Sequence, residues 1–250
     1  MRGWHFRMCA GRNFLFRAAP FSGNDEPRSL LSLRLSLQSM AKYEPHDTFY
    51  RKARERGLPS RAAFKIEELL ARFRLVRPGA RVVDLGCAPG GWLSMLAVAV
   101  GPQGRVAGID LAACPAGAAN VVTMVGDIRE PASVAAVAAA LGGPADLVTS
   151  DLAPKLSGVA ERDQARMLEL ALAALECARA LLRPGGAMVV KLFMGGDFGE
   201  AVEAFARDFA QVERTRTRAS RPGSSEMYLV ARGFRAAPGR AAGPATGPVG

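Results

Sequence analysis

The stretch Asp84-Leu85-Gly86-Cys87-Ala88-Pro89-Gly90-Gly91-Trp92 decides the fold. It follows a short apolar run, residues 81–85, and opens a longer one, residues 91–100. The first has the length of a strand and the second that of a helix. Glycines at such a junction let the backbone turn tightly and come close to a ligand at the helix N-terminus. The spacing is Gly-x-x-x-Gly-Gly. That is neither the Gly-x-Gly-x-x-Gly of a dinucleotide site nor a P-loop, which requires Gly-Lys-Ser/Thr.

Outward from this loop, strand-like and helix-like runs alternate. Residues 81–85, 105–110, 121–125, 146–150, 187–191, 212–217 and 227–231 read as strands. Residues 60–73, 91–100, 132–141, 163–182 and 200–209 read as helices. Ser60 can cap the first helix, and Arg183-Pro184-Gly185-Gly186 ends the fourth. The alternation predicts an α/β fold: a seven-stranded, mostly parallel, doubly wound sheet with helices on both faces. No helix-sized gap separates the last two strands, so they are expected to pair antiparallel. If the seventh inserts between the fifth and sixth, it lies beside the fifth.

Polar residues at the strand ends describe a ligand. Asp110 ends the second strand, where a carboxylate can accept both hydroxyls of a ribose. Asp127, in Val125-Gly126-Asp127-Ile128, is placed to accept a hydrogen bond from an adenine amino group. An adenosine site without a pyrophosphate cradle fits S-adenosylmethionine better than a dinucleotide. Glycine turns and strand-closing aspartates are each common; their order and spacing carry the inference. The expected cofactor contacts are Gly86, Gly90, Gly91, Trp92, Asp110 and Asp127. Trp92 either walls the pocket or belongs to the core.

The carboxyl ends of the central strands gather titratable groups, and ligands of doubly wound sheets bind at that edge. Only five of the 33 basic residues are lysines. Lys65 lies in Ser60-Arg61-Ala62-Ala63-Phe64-Lys65, and Lys191 ends the run Ala187-Met188-Val189-Val190-Lys191. A GC-rich genome accounts for part of the Arg excess. Arg nonetheless stays protonated, whereas a desolvated Lys can release its proton and act as a base. Asp151 follows the fourth strand in Thr149-Ser150-Asp151-Leu152-Ala153-Pro154, and Glu226 precedes the seventh. Asp151 and Lys191 close neighbouring strands and are expected within hydrogen-bonding reach. Lys has an ordinary pKa of about 10.4, too high for a good base at neutral pH. Burial and a second ammonium lower it, while the two acids oppose that shift. Taken singly, Lys65 and Glu226 read as ordinary surface ion-pair residues.

The composition is consistent with this. The chain has 250 residues, 49% of them apolar, and a net charge of +10. Nine basic residues against three acids lie between Arg51 and Arg77, and four arginines with no acid between Arg214 and Arg221. Clusters of this kind suit a polyanion. Cys9, Cys87, Cys114 and Cys177 show no C-x-x-C spacing and read as reduced, cytosolic thiols. The two histidines, His5 and His46, lie outside the expected core, which argues against a His-based metal site or triad, and no metal is expected. No apolar run reaches the length of a membrane span. Residues 1–39 read as foreign to the domain: either a mitochondrial presequence or a segment upstream of a start at Met40. Asp25, Glu26, Pro20 and Pro27 interrupt an amphipathic helix and favour the second. Residues 234–250 read as a disordered Ala/Pro/Gly tail, leaving 40–233 as the domain.

Five motifs together resemble the FtsJ/RrmJ family of ribosomal RNA 2′-O-methyltransferases across roughly residues 42–233. They are Ser60-Arg61-Ala62-Ala63-Phe64-Lys65, Asp84-Leu85-Gly86 with Ala88-Pro89-Gly90-Gly91-Trp92, Ser150-Asp151-Leu152-Ala153-Pro154, Val189-Val190-Lys191-Leu192-Phe193, and Ser220-Arg221 with Ser224-Ser225-Glu226-Met227-Tyr228. The resemblance implies a Rossmann-like, class I S-adenosylmethionine-dependent methyltransferase. It implies a catalytic tetrad of Lys65, Asp151, Lys191 and Glu226, with Lys191 as proton acceptor. Cofactor contacts would fall on Gly90, Trp92, Asp110 and Asp127, with Asp151 close to the methyl group. The implied substrate is a uridine ribose of large-subunit ribosomal RNA, modified on the assembled subunit by a cytoplasmic monomer. Two departures stand out: Cys87 where Ala is usual, and Lys155 where a polar amide is more typical. Relatives with the same tetrad act on tRNA or mRNA caps. The rival readings are a nicotinamide-dependent oxidoreductase, disfavoured by the absent Gly-x-Gly-x-x-Gly, and a non-catalytic ribosome-assembly factor.

Overall fold

The computed structural model describes residues 61–236 except Asp197 and Pro222, together with Arg51 and Glu55. The 1–39 segment, the Ser60 cap and the tail beyond Ala236 lie outside the described residues. The elements are α1 (Ala62–Phe73), β1 (Arg81–Leu85), α2 (Gly91–Val100), β2 (Arg105–Asp110), β3 (Val121–Val125), α3 (Pro131–Leu141), β4 (Ala145–Ser150), α4 (Ala160–Leu181), β5 (Leu182–Phe193), α5 (Phe198–Asp208), β6 (Phe209–Thr215) and β7 (Glu226–Phe234). They build one seven-stranded sheet of order β3-β2-β1-β4-β5-β7-β6. β1 to β5 pair in parallel, and β7 runs antiparallel to both β5 and β6. The expected α/β architecture therefore forms, with the seventh strand between the fifth and sixth.

The central strands β1, β4 and β5 bury both faces, and successive residues along them point to opposite sides of the sheet. Met188, Val190 and Leu192 of β5 pack in the core shared with α3, α4 and α5. Ala187 and Val189 pack with Ile66 and Leu69 of α1 and Leu93 and Leu96 of α2. The same parity directs Lys191 to the α1/α2 side, and Asp84 follows Val82 there. Asp84, Thr149, Lys191 and Glu226 are thereby collected on one face.

Three of the boundaries that depart from the expected ones have a visible pairing or packing cause. α4 begins at Ala160 because the chain is already helical there: the Asp163 N–H bonds the Val159 carbonyl at 3.0 Å. β5 starts at Leu182 rather than after Gly186, since Leu182 pairs with Ala145 and a bulge between Ala145 and Leu147 absorbs the Pro184-Gly185-Gly186 turn. β6 starts at Phe209, which pairs with Phe234 with ring centroids 5.4 Å apart. Burial of Phe209 ends α5 at Asp208.

Candidate active site

The loop after β1 leaves the sheet at Gly86. Gly86 and Gly90 have φ of 78° and 100°, a region that side chains rarely adopt. A Cβ on Gly86 would also lie 2.8 Å from the Leu152 side chain. The Gly86 and Cys87 N–H groups donate to the Ile109 carbonyl at 2.8 and 3.3 Å. Asp110 Oδ2 accepts from the Ala88 N–H at 3.0 Å and Oδ1 from the Ala112 N–H at 2.9 Å. Asp110 thus ties the loop to the end of β2, and each of its oxygens keeps a lone pair for a further donor. Gly91 opens α2 on the Gly90 cap. Asp127 lies just past β3 with both oxygens engaged by the Arg129 guanidinium. The Arg129 hydrogen bonds hold its carboxyl down at about 2.

Trp92 is 3% exposed and packs in the α1/α2 core, its ring 6.0 Å from that of Tyr228. Its Nε1 is buried without a hydrogen-bond partner among the described residues, as is Asp84 Oδ2. Asp84 Oδ1 accepts from the Thr149 hydroxyl at 2.7 Å. Complete burial pushes the Asp84 carboxyl up to about 8; the Thr149 hydrogen bond opposes that shift, and the charges of Asp151 and Asp110 add to it. An unpartnered indole N–H and an unpartnered carboxyl oxygen beside a glycine loop suit a polar ligand. S-adenosylmethionine, with an ammonium and a carboxylate on its amino-acid end, meets that demand. Among the described residues, no cluster of three His, Cys, Asp or Glu side chains could hold a metal. A groove of about 1040 Å³ along α2 reaches the loop at Pro89 and Gly90 but touches none of the tetrad residues.

The four expected catalytic residues form two ion pairs on the α1/α2 face. Lys65 Nζ lies 2.6 Å from Glu226 Oε2, with both side chains about one-tenth exposed. Glu226 Oε1 accepts from the Ser220 hydroxyl at 2.8 Å and the Tyr228 hydroxyl at 3.1 Å. Burial pushes the Glu226 carboxyl up, but the Lys65 ammonium and the two hydroxyls outweigh it and leave the group below the usual carboxylate range. Lys191 Nζ lies 2.9 Å from Asp151 Oδ1 and donates to the Asp151 carbonyl at 2.8 Å. Here burial wins: the Asp151 carboxyl is raised despite the opposing pull of Lys191 and Lys65. The register pairs Lys191 with Tyr228 and Phe193 with Glu226, so the two ion pairs sit side by side. The fully buried Tyr228 lies between them and has its hydroxyl pKa pushed up by burial and by both acids.

The roles of Tyr228, Ser220 and Asp84 were not read from the sequence. Tyr228 could have been, since it stands two residues from Glu226 on the same strand face. The Asp84 contact crosses from β1 to β4 and leaves no local signal, whereas Ser220 bonds Glu226 only six residues further on.

Residues 58–234 match the FtsJ-like methyltransferase family. A ribosomal RNA large subunit methyltransferase E of Anaeromyxobacter is 45% identical over 81% of this chain and 74% of its own length. That of Myxococcus xanthus is 46% identical over 75% of this chain and 89% of its own. Among solved structures, one described as a ribosomal RNA methyltransferase of Plasmodium falciparum aligns over 70% of this chain and 97% of its own. It has a TM-score of 0.61 at 24% identity and supports the fold. A family match over most of the described residues, together with relatives at this identity, makes the chain a member of the FtsJ-like methyltransferase family.

Proposed function

We propose that this protein transfers a methyl group from S-adenosylmethionine to the 2′-hydroxyl of a uridine in large-subunit ribosomal RNA. The observation that carries the reading is the pair of Lys–carboxylate contacts, Lys65–Glu226 and Lys191–Asp151, on one sheet edge beside a glycine loop with unpartnered buried polar atoms. Bound S-adenosylmethionine supplies an electrophilic methyl group on a sulfonium. Gly86, Gly90, Gly91, Trp92, Asp110 and Asp127 are the residues to hold it, with Asp84 as a further contact. A ribose hydroxyl is a weak nucleophile and must lose its proton as it attacks. Lys191 in its neutral form is the acceptor of that proton. The Asp151 carboxylate and carbonyl fix Nζ in direction, leaving its remaining position for the hydroxyl. Lys65 and Glu226 fix the adjoining charge and bring Tyr228 into line.

The RNA face is the second element of the reading. Arg214, Arg216 and Arg218 are exposed, while Thr215, Thr217 and Ala219 between them are buried. Arg72 donates to the Thr215 hydroxyl at 2.7 Å and the Arg218 N–H to Glu68 at 2.9 Å, so the two basic clusters adjoin. The relatives' name as ribosomal RNA large subunit methyltransferases supports the RNA class. Action on the assembled subunit, as a cytoplasmic monomer, belongs to the same proposal. Residues 1–39 lie outside the family match, which begins at residue 58.

The test is to map 2′-O-methyl marks in ribosomal RNA from cells with and without this protein, and with Lys191→Ala. One mark absent without the protein, and absent again with Lys191→Ala, is expected. A full set of marks without the protein would overturn the assignment and favour a non-catalytic assembly role.

A further inference from the structure

α4 opens beside the catalytic edge, and two successive residues of its first turn grip the two loops that leave that edge. Asp163 Oδ1 accepts from the Ser157 N–H at 2.8 Å and the Ser157 hydroxyl at 2.7 Å, and Oδ2 accepts from the Gly158 N–H at 3.1 Å. These bonds fold back the loop that follows Asp151. Gln164 Oε1 accepts from the Gly196 N–H at 3.0 Å, in the loop that follows Lys191. The fit is close: a Cβ on Gly195 would lie 2.2 Å from the Gln164 carboxamide carbon. The same loop is joined to the one before Glu226 by the Met194 N–H, which donates to the Ser225 carbonyl at 2.8 Å. The two gripped loops carry Leu156, Val159 and Met194, which are 64%, 45% and 45% exposed.

We propose that Asp163 and Gln164 are positioning residues that fix the gap between the loops leaving Asp151 and Lys191, and with it the opening through which the target nucleotide reaches Lys191. The inference rests on the acid–base reading of the Lys191–Asp151 pair. Sequence-specific readers of RNA work on unstacked nucleotides, and apolar side chains on both lips offer surfaces for a splayed base. Reacting groups must be held closely, and a displacement of about 1 Å costs about 10²-fold in rate. On the Lys191 side the clamp is one bond from a backbone N–H, so the single acceptor Gln164 Oε1 decides whether that side closes. It touches neither the glycine loop nor any tetrad side chain, which separates its effect from cofactor binding.

Gln164→Met removes the acceptor at nearly equal size, and Gln164→Glu restores an oxygen at the same reach. Both are to be assayed in the full chain with large ribosomal subunits from cells lacking the protein. Gln164→Met is expected to lower kcat/KM for the subunit about tenfold. Its S-adenosylmethionine dissociation constant and Tm should stay at wild-type values, and Gln164→Glu should recover to within about threefold. Wild-type kinetics in Gln164→Met, failure of Gln164→Glu to recover, or a parallel loss of cofactor affinity each overturns the clamp. Lys191→Ala in the same series keeps the two readings apart. Full transfer by Lys191→Ala defeats the acid–base reading, whereas an inactive Lys191→Ala beside an unaffected Gln164→Met defeats the clamp alone.

Discussion

The two halves of the sheet edge are built from different materials. Around β1, β2 and β3 the work is done by backbone: positive-φ glycines, N–H groups bonded to Ile109 and Asp110, and one buried acid, Asp84, raised to about 8. Around β4, β5 and β7 it is done by charged side chains in opposite-sign pairs, and Glu226 is held below its usual range. The difference fits the division of labour proposed for the two halves. A cofactor of fixed shape is met by a backbone cradle, whereas a moving proton needs groups whose charge can change. The first half is therefore sensitive to an added Cβ and the second to a lost charge.

The sharpest break is at Lys191. Lys191→Ala should lower kcat by about 10²–10⁴-fold, the range of a general base, while cofactor affinity stays unchanged by calorimetry. Lys65→Met comes next: it leaves the Glu226 carboxylate buried with only two hydroxyl donors and should cost about 3 kcal/mol in denaturant unfolding. Adding Glu226→Leu should return most of that stability but no activity. A stable and fully active double variant would make the pair purely structural.

Asp84 gives the opposite sign of pH dependence. Its folded pKa stands above the ordinary carboxylate value, so the wild type binds its proton more tightly folded than unfolded. Stability from this group is full below about pH 4 and is lost as pH rises toward about 8, at about 1.4 kcal/mol per pH unit. Asp84→Asn should flatten that slope in unfolding experiments across the interval; an unchanged slope would mean the acid is ionised in the fold. The Glu226 contribution runs the other way, being present at neutral pH and lost below the ordinary carboxylate range. The mildest change is at the arginine face. Replacing Arg214, Arg216 and Arg218 with Ala should reduce the slope of log affinity against log salt by about 2 for single-stranded RNA, with kcat at saturation nearly unchanged.

The sheet was legible because polar residues that close apolar runs stand out, and Asp110, Asp151 and Lys191 all do so. The antiparallel pairing of the last two strands followed from the length of their connection. What escaped were contacts between elements. Whether Asp84 is neutral depends on burial beneath the loop and on Thr149 of β4, and no window around residue 84 contains either. Gln164 looks like any half-exposed helix residue until Gly196 arrives beside it. The β6 boundary moved because Phe209 is claimed by Phe205 and Phe234, packing that overrides the local helix pattern. Trp92, open between pocket wall and core, lies in the core with only its unpartnered indole nitrogen left for a ligand.

The reversed direction of β7 has a mechanical consequence. Lys191 is set by the strand that precedes it, but Glu226 begins its strand and inherits its place from the segment that delivers it. That segment carries Arg216, Arg218 and Arg221, and its Ser220 and Ser224 both bond Glu226. A polyanion bound at those guanidinium groups would lie on the same stretch of chain that sets the start of β7, so the proposed docking face and the placing of Glu226 share one segment.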